Sequence, residues 1–425
     1  MFVPHPELER LALTQHQGQR WRALLAEILP RHAFYARKFA SAQVQPQHVP
    51  APVDLVWLPV TTKAELLADQ KAHPPYGSLL TYPRSAYTRL HQSSGTSTGQ
   101  PLRWLDTPAS WQWLLHCWQQ SFQLVGLRTD DRLFFPFSFG PFLGFWSAFE
   151  AATHAGYFCL PGGGLSSPAR LRLLLENDCT VLFATPTYAL HLVEVARTER
   201  IDLAQSPIRL VIVAGEPGGS IPATRALIEA GWGARVIDHH GLTEVGPIGV
   251  ECPAEPRTLQ VLETEYLVEV LDPGKLSPTP VGQVGELVVT NLGRWGSPLI
   301  RYRTGDLVQA GPIPARGGRR FVGGVLGRAD DMLHVRGNNV YPAALEAVVR
   351  RFAEVAEFRI IVDQTGAMTE LLVQLEPTPT ASPELAERVQ QALRDELLFR
   401  IDVTTVAVGS LPRFEMKAKR VEYRR

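Results

Sequence analysis

Between residues 180 and 238 the chain alternates short apolar runs with helical stretches, and no other feature constrains its fold as strongly. Residues 180–184 (TVLFA) read as a buried strand and 188–200 as a helix. Residues 209–214 (RLVIVA) read as a second strand, 222–230 as a second helix, and 235–238 (RVID) as the start of a third strand. Strands separated by helices must cross over to lie parallel, which implies an α/β sheet. Ligands of such sheets sit beyond the C-terminal strand ends. Gly215-Glu216-Pro217-Gly218-Gly219 follows the second strand, and His239-His240-Gly241-Leu242-Thr243-Glu244 follows the third. Both segments therefore lie where a site is expected.

The rest of the chain surrounds this core. Its 425 residues suggest two domains. The first 90 residues read as helical and irregular, with Thr62-Lys63-Ala64-Glu65 fitting a capping box. Residues 109–125 read as a helix whose Trp111, Trp113 and Trp118 are assigned to packing. From 263 to 308 the pattern turns strand-rich (YLVEVL, GELVVTN, LIRYRTGDLV). Beyond Asp330 a short α+β unit is expected, with helices at 343–352 and 384–397 and strands near 358–362 and 371–375. The expected organisation is a large domain over 1–329 and a small one over 330–425.

Composition excludes several classes of function. The 42 basic and 42 acidic residues cancel, which argues against an electrostatic nucleic-acid binder. The four cysteines lack CxxC spacing, so neither a disulfide framework nor a zinc finger is expected. The N-terminal segment lacks a signal-peptide pattern, and the most apolar run, 133–146, is too short to span a bilayer. A cytoplasmic protein is expected. Of the 42 basic residues only six are lysines, yet Lys417 and Lys419 fall together near the C-terminus.

A glycine- and hydroxyl-rich segment, His91-Gln92-Ser93-Ser94-Gly95-Thr96-Ser97-Thr98-Gly99-Gln100-Pro101, precedes the helix at 109–125. Such a run lets backbone N–H and hydroxyl groups approach phosphate oxygens closely. It is not a Walker A loop, because the Gly-Lys-Ser/Thr ending is missing. With this loop the chain resembles the adenylate-forming ligases, and among them the phenylacetate–coenzyme A ligase branch. His240-Gly241-Leu242-Thr243-Glu244 is similar to that family's aromatic-Gly-Leu/Met-Thr/Ser-Glu motif. Tyr302-Arg303-Thr304-Gly305-Asp306-Leu307, GRADDMLHVRGNNVYP (327–342) and LPRFEMKAKRV (411–421) resemble three more family motifs, in family order.

The resemblance implies a two-step reaction. A carboxylate attacks the α-phosphate of ATP and releases pyrophosphate; a thiol then displaces AMP from the acyl-adenylate. Charge neutralisation and alignment of two anions are what the first step requires. By the resemblance, Ser94, Gly95, Thr96, Thr98 and Gly99 would cradle the β- and γ-phosphates, and Thr243 would contact the α-phosphate. Glu244 would hold Mg²⁺, a hard cation suited to a carboxylate. Asp306 would accept from the ribose hydroxyls and Arg328 would approach the ribose or phosphate. Gly215, Glu216 and Pro217, with Asp238, His239, His240 and Gly241, would border the adenine. Lys417 would be the cation at the α-phosphate, with Lys419 as the alternative. Asp330 would be a hinge, and Arg336 and Gly337 would line the path of coenzyme A.

Some positions depart from the family pattern. The phosphate loop is one residue longer than the common SSGTTGKP form, and Gln100 replaces its lysine. His240 stands where tyrosine is usual. The His239-His240 pair is not read as a metal site, because strand neighbours face opposite sides. Cys252 lacks the companion histidine of a zinc site, Gln260 standing in its place. Aromatic residues between Phe134 and Trp146, and residues 184–188, would suit an aryl or arylacetic acid; core packing accounts for them equally well. Two further readings stay open: delivery of the adenylate to a carrier-protein thiol or an amine, and a nucleotide- or acyl-CoA-binding homologue without turnover.

Overall fold

The computed structural model describes residues 8–48, 55–93, 101–137, 139–335, 338–365, 369–415 and 417–424. Packing divides the chain into two compact units, Met1–Gly163 with Ile237–Val325, and Gly164–Val236 with Leu326–Arg425.

In the first unit the helix Pro108–Val125 forms where local signals agree. The Thr107 side chain caps it by accepting from Ser110 N, Pro108 opens it, and Gly126 closes it in the left-handed conformation. Its three tryptophans are buried, as their assignment to packing requires. Trp113 donates to Glu265 and Trp118 to Ser147. The expected capping box is also present, with Thr62 and Glu65 satisfying each other's backbone N–H groups ahead of the helix Lys63–Ala72.

The strand Arg235–Leu242 runs on through the His-Gly-Leu motif. It turns at Thr243–Val245 and pairs antiparallel with Gly246–Glu251. Thr258–Val261 and Arg320–Val322 extend this antiparallel run. A hairpin, Arg89–Gln92 with Arg103–Asp106, brackets residues 93–102 in the sequence. The strand-rich region is a meander of Tyr266–Leu271, Val284–Asn291 and Tyr302–Gln309.

In the second unit Val181–Ala184 pairs parallel with Leu210–Ala214, as the strand–helix alternation requires. The helices Pro186–Thr198 and Pro222–Trp232 each open on proline, which has no N–H to leave unpaired. The C-terminal part forms a four-stranded sheet in the order Asp402–Thr405, Glu370–Pro377, Val355–Asp363, Val421–Arg424. The helix Leu385–Leu397 buries Leu385, Val389 and Leu393, one face at four-residue spacing, in the core of this α+β part. Among the described residues no helix is long and apolar enough to cross a membrane.

Candidate active site

In the first unit, strand alternation sends the two motif histidines to opposite sides. His239 is buried and stacked on Trp118, with ring centroids 4.0 Å apart and planes 12° from parallel. Burial, and then the nearby His240, lowers its pKa to about 3, so the ring is neutral. His240 faces the other way and places Nε2 2.7 Å from Asp306 Oδ2. Asp306 is itself buried in the strand Tyr302–Gln309, and its backbone N–H donates to Thr304 Oγ1. Thr304 Oγ1 in turn donates to Leu287 O. The residue expected to border the adenine in place of the usual tyrosine is thus held by the residue expected to receive ribose.

Gly241 is fixed by crowding. A Cβ there would fall 2.9 Å from Gly246 O and 3.2 Å from Pro247 Cα across the hairpin. Asp238 contributes its backbone N–H to Glu251 Oε2 at 3.1 Å. Thr243 and Glu244 form the turn that follows, and Glu244 is only 5% exposed. Among the described residues its carboxylate takes no hydrogen bond or ion pair. In the aromatic segment between Phe134 and Trp146, Phe137 stacks on Phe145 and Phe139 meets Trp146 edge-on, so this segment is packed internally.

In the second unit, Lys417 lies along Gly215. A Cβ built on Gly215 would stand 3.3 Å from Lys417 Cε and 3.8 Å from Cγ, and Gly215 has φ +99°. Glycine therefore provides both the backbone conformation and the space for the lysine stem. Glu216 ties the same segment, one oxygen accepting from Thr187 N at 2.8 Å and the other from Ala418 N at 2.7 Å. Pro217 follows in the same loop. Arg328 grips Asp330 with two hydrogen bonds, 2.8 and 3.1 Å.

Sequence reasoning missed the groups that fasten the lysine segment. Arg170 Nη1 reaches Glu415 at 3.0 Å and Tyr188 Oη at 2.7 Å. Arg413 joins Glu194 and Glu376. Arg420 is buried against Glu357, Glu346 and Thr187. Burial raises the Glu346 carboxyl above the usual range despite the Arg420 and Arg350 charges beside it. Burial also works to raise Glu357, but its hydrogen bond and charge contact with Arg420 prevail and hold it below that range. Ser94, Gly95, Thr96, Thr98, Gly99, Arg336 and Gly337, expected at the phosphates and on the coenzyme A path, lie outside the described residues.

The AMP-binding enzyme family matches residues 94–293, and the AMP-binding enzyme C-terminal domain matches residues 337–425. A phenylacetate–coenzyme A ligase of Thermus thermophilus is 31% identical, over 96% of this chain and 96% of its own length. The chain belongs to the phenylacetate–coenzyme A ligase family. The phenylacetate–coenzyme A ligase of Escherichia coli (strain K12) is 30% identical, over 95% and 93% of the two chains. Among solved structures, 2-hydroxyisobutyryl-CoA ligase in the postadenylation state, in complex with R3-HIB-AMP, superposes with a TM-score of 0.92. It is 27% identical and covers 99% of this chain and 92% of its own. This phenylacetate–coenzyme A ligase family member thus carries the adenylate-forming fold read from its motifs.

Proposed function

We propose that this chain adenylates a carboxylic acid with ATP and transfers the acyl group to coenzyme A, releasing pyrophosphate and AMP. The observation that carries the reading is the placement of Lys417 along Gly215, with Ala418 N held by Glu216. A lysine this constrained is preorganised, as stabilisation of a pentacovalent phosphate demands.

In the first step a carboxylate oxygen of the acid bonds to the α-phosphorus and the bond to pyrophosphate breaks. Lys417 supplies the cation, Thr243 the hydroxyl contact, and the loop of Ser94, Gly95, Thr96, Thr98 and Gly99 the donors for the departing phosphates. Asp306 takes the ribose hydroxyls through the carboxylate that His240 orients. Gly215, Glu216, Pro217, Asp238 and Gly241 border the base, His239 contributes only backbone there because its ring is turned into the core against Trp118, and Arg328 lies toward the ribose or phosphate. In the second step the thiol sulfur bonds to the acyl carbon, its proton passes to solvent, and AMP leaves. Swinging of residues 330–425 about Asp330 exchanges the two steps, with Arg336 and Gly337 on the pantetheine path.

Glu244 fits a magnesium ion. It is a buried carboxylate without a partner among the described residues, and no group of three or more His, Cys, Asp or Glu there could hold a metal. A cation at such a site completes its shell with phosphate oxygens and water, which is magnesium's habit. Bound there, it would neutralise phosphate charge.

An aryl or arylacetic acid is the proposed substrate, on the strength of the phenylacetate–coenzyme A ligase relatives. A panel of carboxylic acids assayed for pyrophosphate release, with and without coenzyme A, tests the reading. Release with thioester formation supports it. Coenzyme A-independent release without thioester points to a carrier protein or an amine as acceptor, and no release with any acid contradicts turnover altogether.

A further inference from the structure

Arg294 and Asp106 lie 188 positions apart, and both are fully buried. Arg294 Nε donates to Asp106 Oδ1 at 2.7 Å and Nη2 to Oδ2 at 2.6 Å, a bidentate fork. The remaining arm of the guanidinium serves neither charge nor solvent. Nη1 donates to Thr243 O at 2.8 Å and to Glu244 O at 2.9 Å. The whole cation is thus spent on one carboxylate and on the two consecutive carbonyls of the turn carrying Thr243 and Glu244. We infer that the Asp106–Arg294 pair is the positioning element that holds this turn in register for adenylation.

The surroundings suit a fixed brace. Asp106 ends the hairpin strand Arg103–Asp106, and His91 Nδ1 stands 3.8 Å from its Oδ2. The loop bearing Arg294 is sewn to the same hairpin and to the adjoining helix. Ser297 Oγ donates to Leu105 O at 2.7 Å and Gly296 N to Ser110 Oγ at 3.1 Å. Gly293 must remain glycine, because a Cβ would meet the Trp113 ring at 2.1 Å. Peptide planarity turns these contacts into orientation. With the Thr243 carbonyl aimed at Arg294, the N–H of Glu244 must point away from it. With the Glu244 carbonyl aimed likewise, the N–H of Val245 is directed back to Leu242 O, where it bonds at 3.2 Å. A stability role alone calls for the fork to Asp106; it does not call for the third arm on the two carbonyls beside the proposed phosphate and magnesium ligands.

This inference rests on the function proposed above, so its test has an arm that needs no turnover. The double variant Asp106→Leu/Arg294→Met removes both charges together, an exchange that buried ion pairs often tolerate. Arg294→Lys serves as the second variant; it keeps the charge but lacks the planar fork. Hydrogen exchange is expected to speed up in the peptide over residues 240–250, while helix content and the exchange of remote segments stay as in the unaltered chain. Adenylation is expected to fall about 100-fold with the magnesium titration moved to higher concentration, the scale of a small misplacement of reacting groups. Thioester formation from supplied acyl-adenylate should fall far less, since phosphate departure is already complete. Unchanged exchange at 240–250 in a folded variant overturns the brace, whatever the chain catalyses. Adenylation and magnesium dependence that stay near the starting values also overturn it, as does an equal loss of both half-reactions. No pyrophosphate release from the unaltered chain with any acid contradicts the proposed function instead.

Discussion

Glu216→Gln probes how the lysine segment is held. The carboxylate accepts from Ala418 N at 2.7 Å and from Thr187 N at 2.8 Å. Hydrogen bonds from an N–H to a charged acceptor contribute about 1.5–3 kcal/mol each. Glu216 is partly exposed, so water competes and the lower end, about 1.5 kcal/mol, applies to the bond on Ala418. Glutamine retains one carbonyl acceptor but no charge, and turns an NH2 toward one of the two N–H groups. Since about 1.4 kcal/mol is tenfold, the docked state of Lys417 should lose about tenfold in population. The assay is the ratio of two half-reactions: acid-dependent pyrophosphate release, and thioester formation from supplied acyl-adenylate. A weakened border to the adenine lowers both alike and cancels in the ratio; loss of the Ala418 tie lowers only the first. The ratio is expected to fall about tenfold. An unchanged ratio, or equal loss in both steps, would refute the reasoning.

Lys417→Ala should reduce adenylation by about 1000-fold, the scale of a unit charge about 4 Å away at an effective dielectric near 20; thioester formation from supplied adenylate should persist and Lys419→Ala should be milder, both read in the same assays. Arg420→Met leaves the buried Glu357 and the partly buried Glu346 without their main cation and should cost about 3–5 kcal/mol in urea unfolding. Adding Glu357→Leu should recover part of that loss. His239, at about 3, and His32, lowered to about 4 chiefly by burial, are neutral when folded but protonate near 6.5 once unfolded. Their stabilisation is complete above about pH 6.5 and declines as pH falls toward 4, by up to about 1.4 kcal/mol per pH unit for each ring. Denaturant unfolding followed across that window should show a shallower acid slope for His239→Phe.

The parts of this molecule legible in its sequence are those written locally. The runs 180–184 and 209–214 had to hold buried strands because Val181–Ala184 and Leu210–Ala214 are apolar throughout, and Thr62–Glu65 carries its cap within four residues. The strand Gly246–Glu251 was not legible. Its sequence GPIGVE carries the glycines and proline of a loop, yet all six residues are buried because Gly246 and Gly249 admit close neighbours. Asp306 could be singled out from its motif, but its partner His240 lies 66 positions away, and no spacing rule pairs them. Arg420 stands beside two lysines in a basic run, and nothing local shows that it is buried; Glu357 and Glu346, on other elements, decide that. Arg294 was invisible for the same reason, since its two destinations lie 188 and about 50 positions off.

Carboxylate activation at the α-phosphate is the claim on which the whole account rests. It is tested most directly by isotope transfer, using the acid that turns over in the panel with both carboxylate oxygens labelled with ¹⁸O. Attack on the α-phosphorus followed by thiol displacement must leave one labelled oxygen in AMP and none in pyrophosphate. Mass spectrometry of the products is expected to show that pattern. Unlabelled AMP, or label appearing in inorganic phosphate alongside ADP, would contradict it.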